Sequence, residues 1–188
     1  MGRWEPDAVG RLRIAALELF VELGYGQTTV ADIAERAGLT TRTFFRYFPD
    51  KREVLFQGAE RLEQTMVEAL LQTPDGASAM SAITSAIRAA GGYFVDIQAV
   101  ARRRRDVIAM NAELRERELI KLAKLSASLA EALAQRGVDA VEARLAAETG
   151  MAVFRLAFEL WLADGEHRRF DAIAADLLRR LARLVPVT

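Results

Sequence analysis

The chain has 188 residues, 52% of them hydrophobic, with 26 Lys+Arg balanced by 26 Asp+Glu, one His and no Cys. That length accommodates a small head plus a larger body with its own core, and the apolar content is too high for a disordered chain. Lack of cysteine excludes disulfides, thiolate nucleophiles and thiolate metal sites, and no apolar run reaches the roughly 18 residues that a membrane-spanning helix needs. The start, MGRWEPDAVG, has no apolar stretch of the signal-peptide kind, so a cytoplasmic protein is expected, with no membrane partner.

Asp7 to Leu23 carries Leu12, Ala15, Ala16, Leu19 and Leu23 at three-and-four spacing, which predicts a first helix ended by Gly24-Tyr25-Gly26. Thr29 then stands before Val30, Ile33, Ala34 and Ala37, and Asp32 three residues on completes an acidic capping box. This second helix has room for about two turns. Gly38 fits the left-handed residue that closes a helix, and Thr40 caps the next with its hydroxyl, so Ala37-Gly38-Leu39-Thr40 is the turn of a helix-turn-helix.

In the third helix Phe44 and Phe48 share one face and are expected to be buried. Arg42 and Arg46 point the opposite way, with Thr41, Thr43 and Tyr47 on the flanks, and Pro49 stops the helix. Such a face suits a major groove, where Arg pairs with guanine and Thr offers a hydroxyl and a methyl. Lys51, just past the stop, is expected to reach a phosphate. Neutral net charge is unusual for a nucleic-acid binder, but the distribution is uneven. Residues 36–52 hold five cations (Arg36, Arg42, Arg46, Lys51, Arg52) against one acid, Asp50.

The stretch GLTTRTFFRYFPDK, preceded by TTVADIAERA, resembles the TetR family of bacterial transcriptional regulators, over roughly Arg11 to Leu55. By position, the resemblance implies base-facing or groove-facing roles for Thr41, Arg42, Thr43 and Arg46. It implies phosphate contacts or caps for Thr29, Thr40, Tyr47 and Lys51. Phe45 stands where the family often has Tyr; without a hydroxyl its role at DNA is apolar contact.

Asp50 can cap a long helix to about Leu71, its start belonging to the head and its end to the body. Thr73-Pro74-Asp75-Gly76 is a turn. Helices are predicted from Ala77 to Val95, weakened at Gly91-Gly92, then Val100 to Met110, Ala112 to Arg136, Asp139 to Ala163 and Phe170 to Val185. The predicted fold is therefore all-α: a three-helix helix-turn-helix DNA-binding head, residues 1–52, and a helical effector-binding and dimerisation body, residues 53–188. Arg102 to Arg105 read as a solvated helix face near the edge of the body, with attraction of an anionic effector as the other reading.

Apolar surface on the last two helices exceeds what one small body needs. Met151, Phe154, Phe158 and Trp161 on one, with Ile173, Leu177 and Leu181 on the other, are the candidate homodimer interface, a dimer that the resemblance also implies. A two-fold dimer sets two recognition helices about one DNA turn (~34–36 Å) or more apart, so the expected partner is a palindromic operator in double-stranded DNA. Met80, Phe94, Met110, Asn111, Phe154 and Phe158 are candidates for an apolar effector pocket. The series RRRRDVIAMNAELREREL resembles mycofactocin-type regulators, some of which answer to acyl-CoA thioesters, so the effector is expected to be an acyl-CoA or another apolar metabolite.

An enzyme fits poorly. His167 is the single histidine, beside Arg168 and Arg169 in a loop-like stretch, and is read as a surface residue; there is no phosphate-cradling glycine loop, no metal site and no cofactor to expect. A helical-bundle interaction protein without DNA binding is the alternative, and it leaves the Arg42/Arg46 face without a purpose. The expected function is a dimeric repressor released from its operator by a small apolar effector.

Overall fold

Asp7 opens the first helix by accepting from the Gly10 N–H at 3.1 Å. From there α1 (Ala8–Glu22) turns Leu12, Ala15, Ala16 and Leu19 inward, as its spacing predicts, with Phe20 beside them, whereas Leu23, expected in the same series, is exposed past the helix end. The computed structural model describes residues 7–95, 97–164 and 168–184, and every regular element within them is a helix. His167 and Val185 lie outside the described residues. After α1 come α2 (Val30–Arg36), α3 (Thr41–Tyr47), α4 (Glu53–Phe56), α5 (Ala59–Leu71), α6 (Ala79–Tyr93), α7 (Gln98–Ala109), α8 (Ala112–Gln135), α9 (Ala140–Ala163) and α10 (Phe170–Leu184). None of the helices is long and apolar enough to cross a membrane.

Two expectations about the linker are corrected. The helix expected from Asp50 to Leu71 is interrupted: Gln57 is extended, and Gly58 takes φ +94°, a left-handed conformation that costs glycine little and other residues more. The apolar spacing runs on through this point, so periodicity alone hides the break. The boundary expected between residues 52 and 53 also moves. One compact unit joins the residues up to Gly58 with Val100–Glu118; the other joins Ala59–Ala99 with Leu119 onward. Burial is the reason. Val54, Leu55 and Phe56 complete the core made by Leu12, Ile33, Phe44 and Phe48, and Val107, Ile108 and Leu114 enter the same core.

The four-arginine run is resolved within this first unit. Arg103 and Arg105 are exposed, but Arg104 is half-buried: its Nε donates to the Leu55 carbonyl at 2.6 Å, its Nη1 pairs with Glu118 at 3.0 Å, and its guanidinium lies 5.0 Å from the Phe56 ring centroid. The reading of a uniformly solvated face is thus corrected, because this one arginine satisfies a carbonyl at the α4 turn and covers an aromatic ring.

In the second unit, α6 is not interrupted at Gly91-Gly92 but continues to Tyr93. Gly91 serves a close helix approach: a Cβ there would lie 2.9 Å from Asp171 Cβ at the start of α10. Met66, Leu70, Ile83, Ile87, Leu129, Leu133, Ala147 and Phe170 are fully or almost fully buried and form the interior of this unit. Polar side chains tie α8 to its neighbours, Ser128 donating to Glu63 on α5 at 2.7 Å and Ser126 to Glu148 on α9 at 2.9 Å.

Candidate nucleic-acid interface

The ends of both short helices are set by local chemistry, each closed by a neighbour within four residues of the chain. At α2 the Asp32 carboxylate accepts from the Thr29 N–H at 2.8 Å and the Thr29 hydroxyl accepts from the Asp32 N–H at 3.1 Å, a reciprocal capping box. The hydrogen bond from the Thr29 backbone holds the Asp32 carboxyl below its ordinary pKa. Gly38 closes α2 at φ +66°, and Leu39 N–H reaches back to the Ala34 carbonyl at 2.8 Å. Thr40 then opens α3 by accepting from the Thr43 N–H at 3.1 Å. Thr29 and Thr40 are therefore caps in this structure.

With both ends fixed, the side chains of α3 sort as the wheel requires. Phe44 is fully buried and Phe48 nearly so, their ring centroids 5.4 Å apart. Thr41, Arg42, Phe45, Arg46 and Tyr47 are exposed, and Thr43 is half-buried with its hydroxyl 3.0 Å from that of Thr40. Phe45 is 57% exposed, an aromatic ring in water whose edge-to-face contact with Phe44 is its one ring neighbour among the described residues. Arg46 Nη2 donates to the Tyr47 hydroxyl at 2.9 Å, and its Cζ sits 4.7 Å from the Tyr47 ring centroid.

The five cations of residues 36–52 are not equivalent. Arg36 pairs with Glu22 at 2.8 Å and Glu18 at 3.5 Å, bracing α2 against α1. Arg52 pairs with Asp50 at 2.8 Å, which lowers the Asp50 pKa through the side-chain hydrogen bond. Lys51 is a correction. The expected phosphate contact requires an outward ammonium, but its Nζ donates to the carbonyls of Tyr25 at 2.8 Å and Thr28 at 3.0 Å and lies 4.3 Å from the Tyr25 ring centroid. Those carbonyls belong to the turn between α1 and α2, where no helix supplies them with donors. Arg42 and Arg46 remain as the outward positive charges of α3.

In the sequence Tyr25 reads only as part of the stop after the first helix, and its place in the core is missed. It is 4% exposed and has its hydroxyl pKa raised, first by burial and then by the negative charge of Glu113. Its signal was the placing of an aromatic residue between two glycines. Removing the ammonium beneath it tests the Lys51 correction: Lys51→Met is expected to destabilise the first unit by roughly 1–3 kcal/mol, read as a lower melting temperature, with the salt dependence of DNA binding unchanged. Unchanged melting with a shallower salt slope would return Lys51 to the phosphate role.

The other predicted sites fare differently. Phe94 and Phe154 are buried, and the Phe94 centroid lies 6.1 Å from Phe154, 5.4 Å from Phe158, 5.3 Å from Trp161 and 4.7 Å from Phe170. Ring packing fills the space where a pocket was expected. Met80 is half-buried on α6. Met110 is corrected, being 84% exposed at the end of α7 and in the other unit, where Asn111 donates its amide to the Val107 carbonyl at 2.7 Å. Among the concavities, one of about 220 Å³ lies between α5 and α8, open and lined by Glu63, Gln64, Val67, Ser128, Glu131, Ala132 and Gln135, none of them an effector candidate.

Of the dimer candidates, Met151, Phe154, Trp161 and Ile173 are consumed by the core of their own unit, and Phe158, Leu177 and Leu181 are half-buried. The first four are corrected as contact residues, because a side chain already enclosed adds little area to an interface. Exposed instead are Val141, Leu145, Leu156 and Leu160, which with Ala152 form one stripe along α9 at helical spacing. The sequence held this stripe, but without the core assigned its leucines could not be told from interior ones.

Comparison with known proteins adds the following. The profile of bacterial regulatory proteins of the tetR family matches residues 13–57, and that of the MftR C-terminal domain matches residues 77–186. The HTH-type transcriptional regulator TcmR of Streptomyces glaucescens is 40% identical over 81 residues, 43% of this chain and 36% of TcmR, so the match spans little more than a third of that relative. The putative mycofactocin biosynthesis transcriptional regulator MftR of Mycobacterium tuberculosis is 26% identical over 179 residues, 93% of this chain and 90% of MftR. Among solved structures, the transcriptional regulator FadR of Bacillus subtilis in complex with stearoyl-CoA aligns with TM-score 0.64 at 22% identity, covering 94% of this chain and 99% of that one. NalD, the secondary repressor of the MexAB-OprM multidrug efflux pump in Pseudomonas aeruginosa, aligns with TM-score 0.64 at 21% identity, covering 95% and 97%. At such identities these two likenesses speak for the fold alone.

Proposed function

The chain belongs to the tetR family of bacterial regulatory proteins, with a body of the MftR C-terminal type, and from that premise we propose that it is a dimeric repressor released from a palindromic operator by an apolar effector. One observation carries the reading of DNA: a two-turn helix, capped by Thr40 and anchored by buried Phe44 and Phe48, holds Arg42 and Arg46 outward beside exposed Thr41. Arg can donate two hydrogen bonds to guanine O6 and N7, and Thr can meet a thymine methyl. Thr43, Phe45 and Tyr47 border this face, and Thr29 and Thr40 lie at helix N-termini, where backbone N–H groups favour a phosphate.

The α9 stripe of Val141, Leu145, Leu156 and Leu160 supports the dimer, since apolar side chains lined up in water favour a second copy of the same face. The MftR-type body and the aromatic cluster around Phe94 support an apolar effector, an acyl-CoA being the first to try. Because those rings are in contact, a ligand has to part them. An effector that prefers the parted state lowers DNA affinity by the factor that DNA lowers its own.

Fluorescence anisotropy with a labelled duplex from the promoter of its own gene tests the proposal. Tight binding in preference to a scrambled duplex, reversed on titrating stearoyl-CoA, is the expected result. Equal affinity for both duplexes would refute the DNA reading; selective binding unmoved by stearoyl-CoA and by other acyl-CoAs would refute the effector class and leave the DNA reading standing.

A further inference from the structure

We infer that Tyr47 is a positioning residue for Arg46, so that the two act at DNA as one bridged unit while Arg42 acts alone. The inference deepens the operator-binding reading and rests on it. Arg46 projects from the side of α3 opposite Phe44 and Phe48, and Tyr47, the next residue, lies 100° round the helix. An arginine there would ordinarily sample many rotamers in water. Here two contacts define it: the guanidinium lies 4.7 Å from the Tyr47 ring centroid, and Nη2 donates to the phenol oxygen at 2.9 Å. Both groups are exposed, so nothing else among the described residues encloses the pair.

The donor inventory makes the pair more than a resting contact. A phenol has one O–H donor and acceptor capacity on the same oxygen, so accepting from Arg46 leaves its proton to give away. A guanidinium has five N–H donors and has used one. The hydroxyl proton can go to a backbone phosphate while the remaining fork of Arg46 addresses a base edge. Phosphate and base are then connected through one oxygen, and the backbone register fixes the plane of the arginine. The two contacts favour this rotamer before the duplex arrives, which lowers a cost that a free side chain bears on binding. The latch also draws the Arg46 charge toward Tyr47 and away from the Arg42 side of the wheel.

A double-mutant cycle in the full-length protein decides it, using anisotropy on the promoter duplex and on duplexes with each base pair replaced in turn. Tyr47→Phe keeps the ring and removes the hydroxyl. Arg46→Ala is expected to raise Kd about tenfold or more, Tyr47→Phe roughly fivefold, and the double variant by clearly less than the product of the two, because part of the hydroxyl's effect passes through the guanidinium it positions. Tyr47→Phe is also expected to flatten preference at the base pair that Arg46→Ala flattens, and to multiply in full with Arg42→Ala. Thermal melting of each variant is expected to match the parent, since both side chains are exposed. Tyr47→Phe and Arg46→Ala effects that multiply independently, or base preferences untouched by Tyr47→Phe, would overturn the inference. A parent protein that does not discriminate among duplexes, with Arg42→Ala equally without effect, would remove the operator reading itself and this inference with it.

Discussion

Replacing Phe44 by Ala is expected to remove operator binding through the fold and not through the interface. The ring is fully buried in the core that α1, α2, α3 and α4 share with Val107, Ile108 and Leu114, and it contacts Phe48 and Phe45. Truncating a buried phenylalanine costs about 3–5 kcal/mol, the transfer free energy plus the cavity left behind. Isolated seven-residue helices are unstable in water, so α3 exists only because this anchor and the Thr40 cap hold it. Loss of the anchor should therefore melt the recognition helix first. Hydrogen exchange is the measurement: amides of α2 and α3 are expected to lose protection, while those of α6 and α9 keep theirs. Full protection in α3 together with unimpaired DNA binding would contradict the anchoring role.

Gly150→Leu is expected to have the largest effect on the second unit. A Cβ at this position of α9 would overlap Ile83 Cγ2 on α6, and Ile83 is fully buried and branched at Cβ, so it cannot swing aside. Replacing glycine inside a helix ordinarily gains up to about 1 kcal/mol of backbone entropy. Overpacking a filled crossing costs roughly 1–3 kcal/mol and at times more, so for a residue as large as Leu the steric term wins. A lower melting temperature of the body, partly restored by Ile83→Ala, is the expected outcome. A variant that melts like the parent would show that the α6 and α9 crossing yields easily.

The features most legible in the sequence were those decided within four residues. Thr29 with Asp32, Gly38, and Thr40 with Thr43 each close a helix end through a neighbour in the chain, so residue type and spacing sufficed for the helix-turn-helix. The inward phenyl rings and outward guanidiniums followed from the 3.6-residue period. What escaped depended on distant partners. Lys51 is turned inward by carbonyls 23 and 26 residues earlier, and no local pattern announces them. The break at Gln57–Gly58 is a matter of backbone dihedrals beneath an unbroken apolar repeat. Met110 and Phe94 were given one pocket because a wheel shows which face is apolar and not what lies opposite; one is in water and the other in a knot of rings.

Four of the seven dimer candidates turned out to be core residues for a related reason. Met151 and Trp161 are apolar as Leu156 and Leu160 are, and only the fold places the first two inside and the leucines outside. Periodicity identifies two faces of α9; only the arrangement of α6 and α10 says which is interior. The charge reading was half right for the same cause. Arg36 and Arg52 find acids within the head, and Arg42 and Arg46, pointing from a two-turn helix, pair with none among the described residues.

Binding by the protein lacking those two guanidiniums tests the central claim most directly. Anisotropy at one fixed salt concentration would compare the promoter duplex with a scrambled one, for the parent and for the Arg42→Ala, Arg46→Ala variant. The parent is expected to favour the promoter by on the order of a thousandfold, and the variant, folded and with equal melting temperature, to bind both duplexes with the weak affinity of non-specific contact. A variant that still selects the promoter as the parent does would mean that the outward face of α3 does not read DNA.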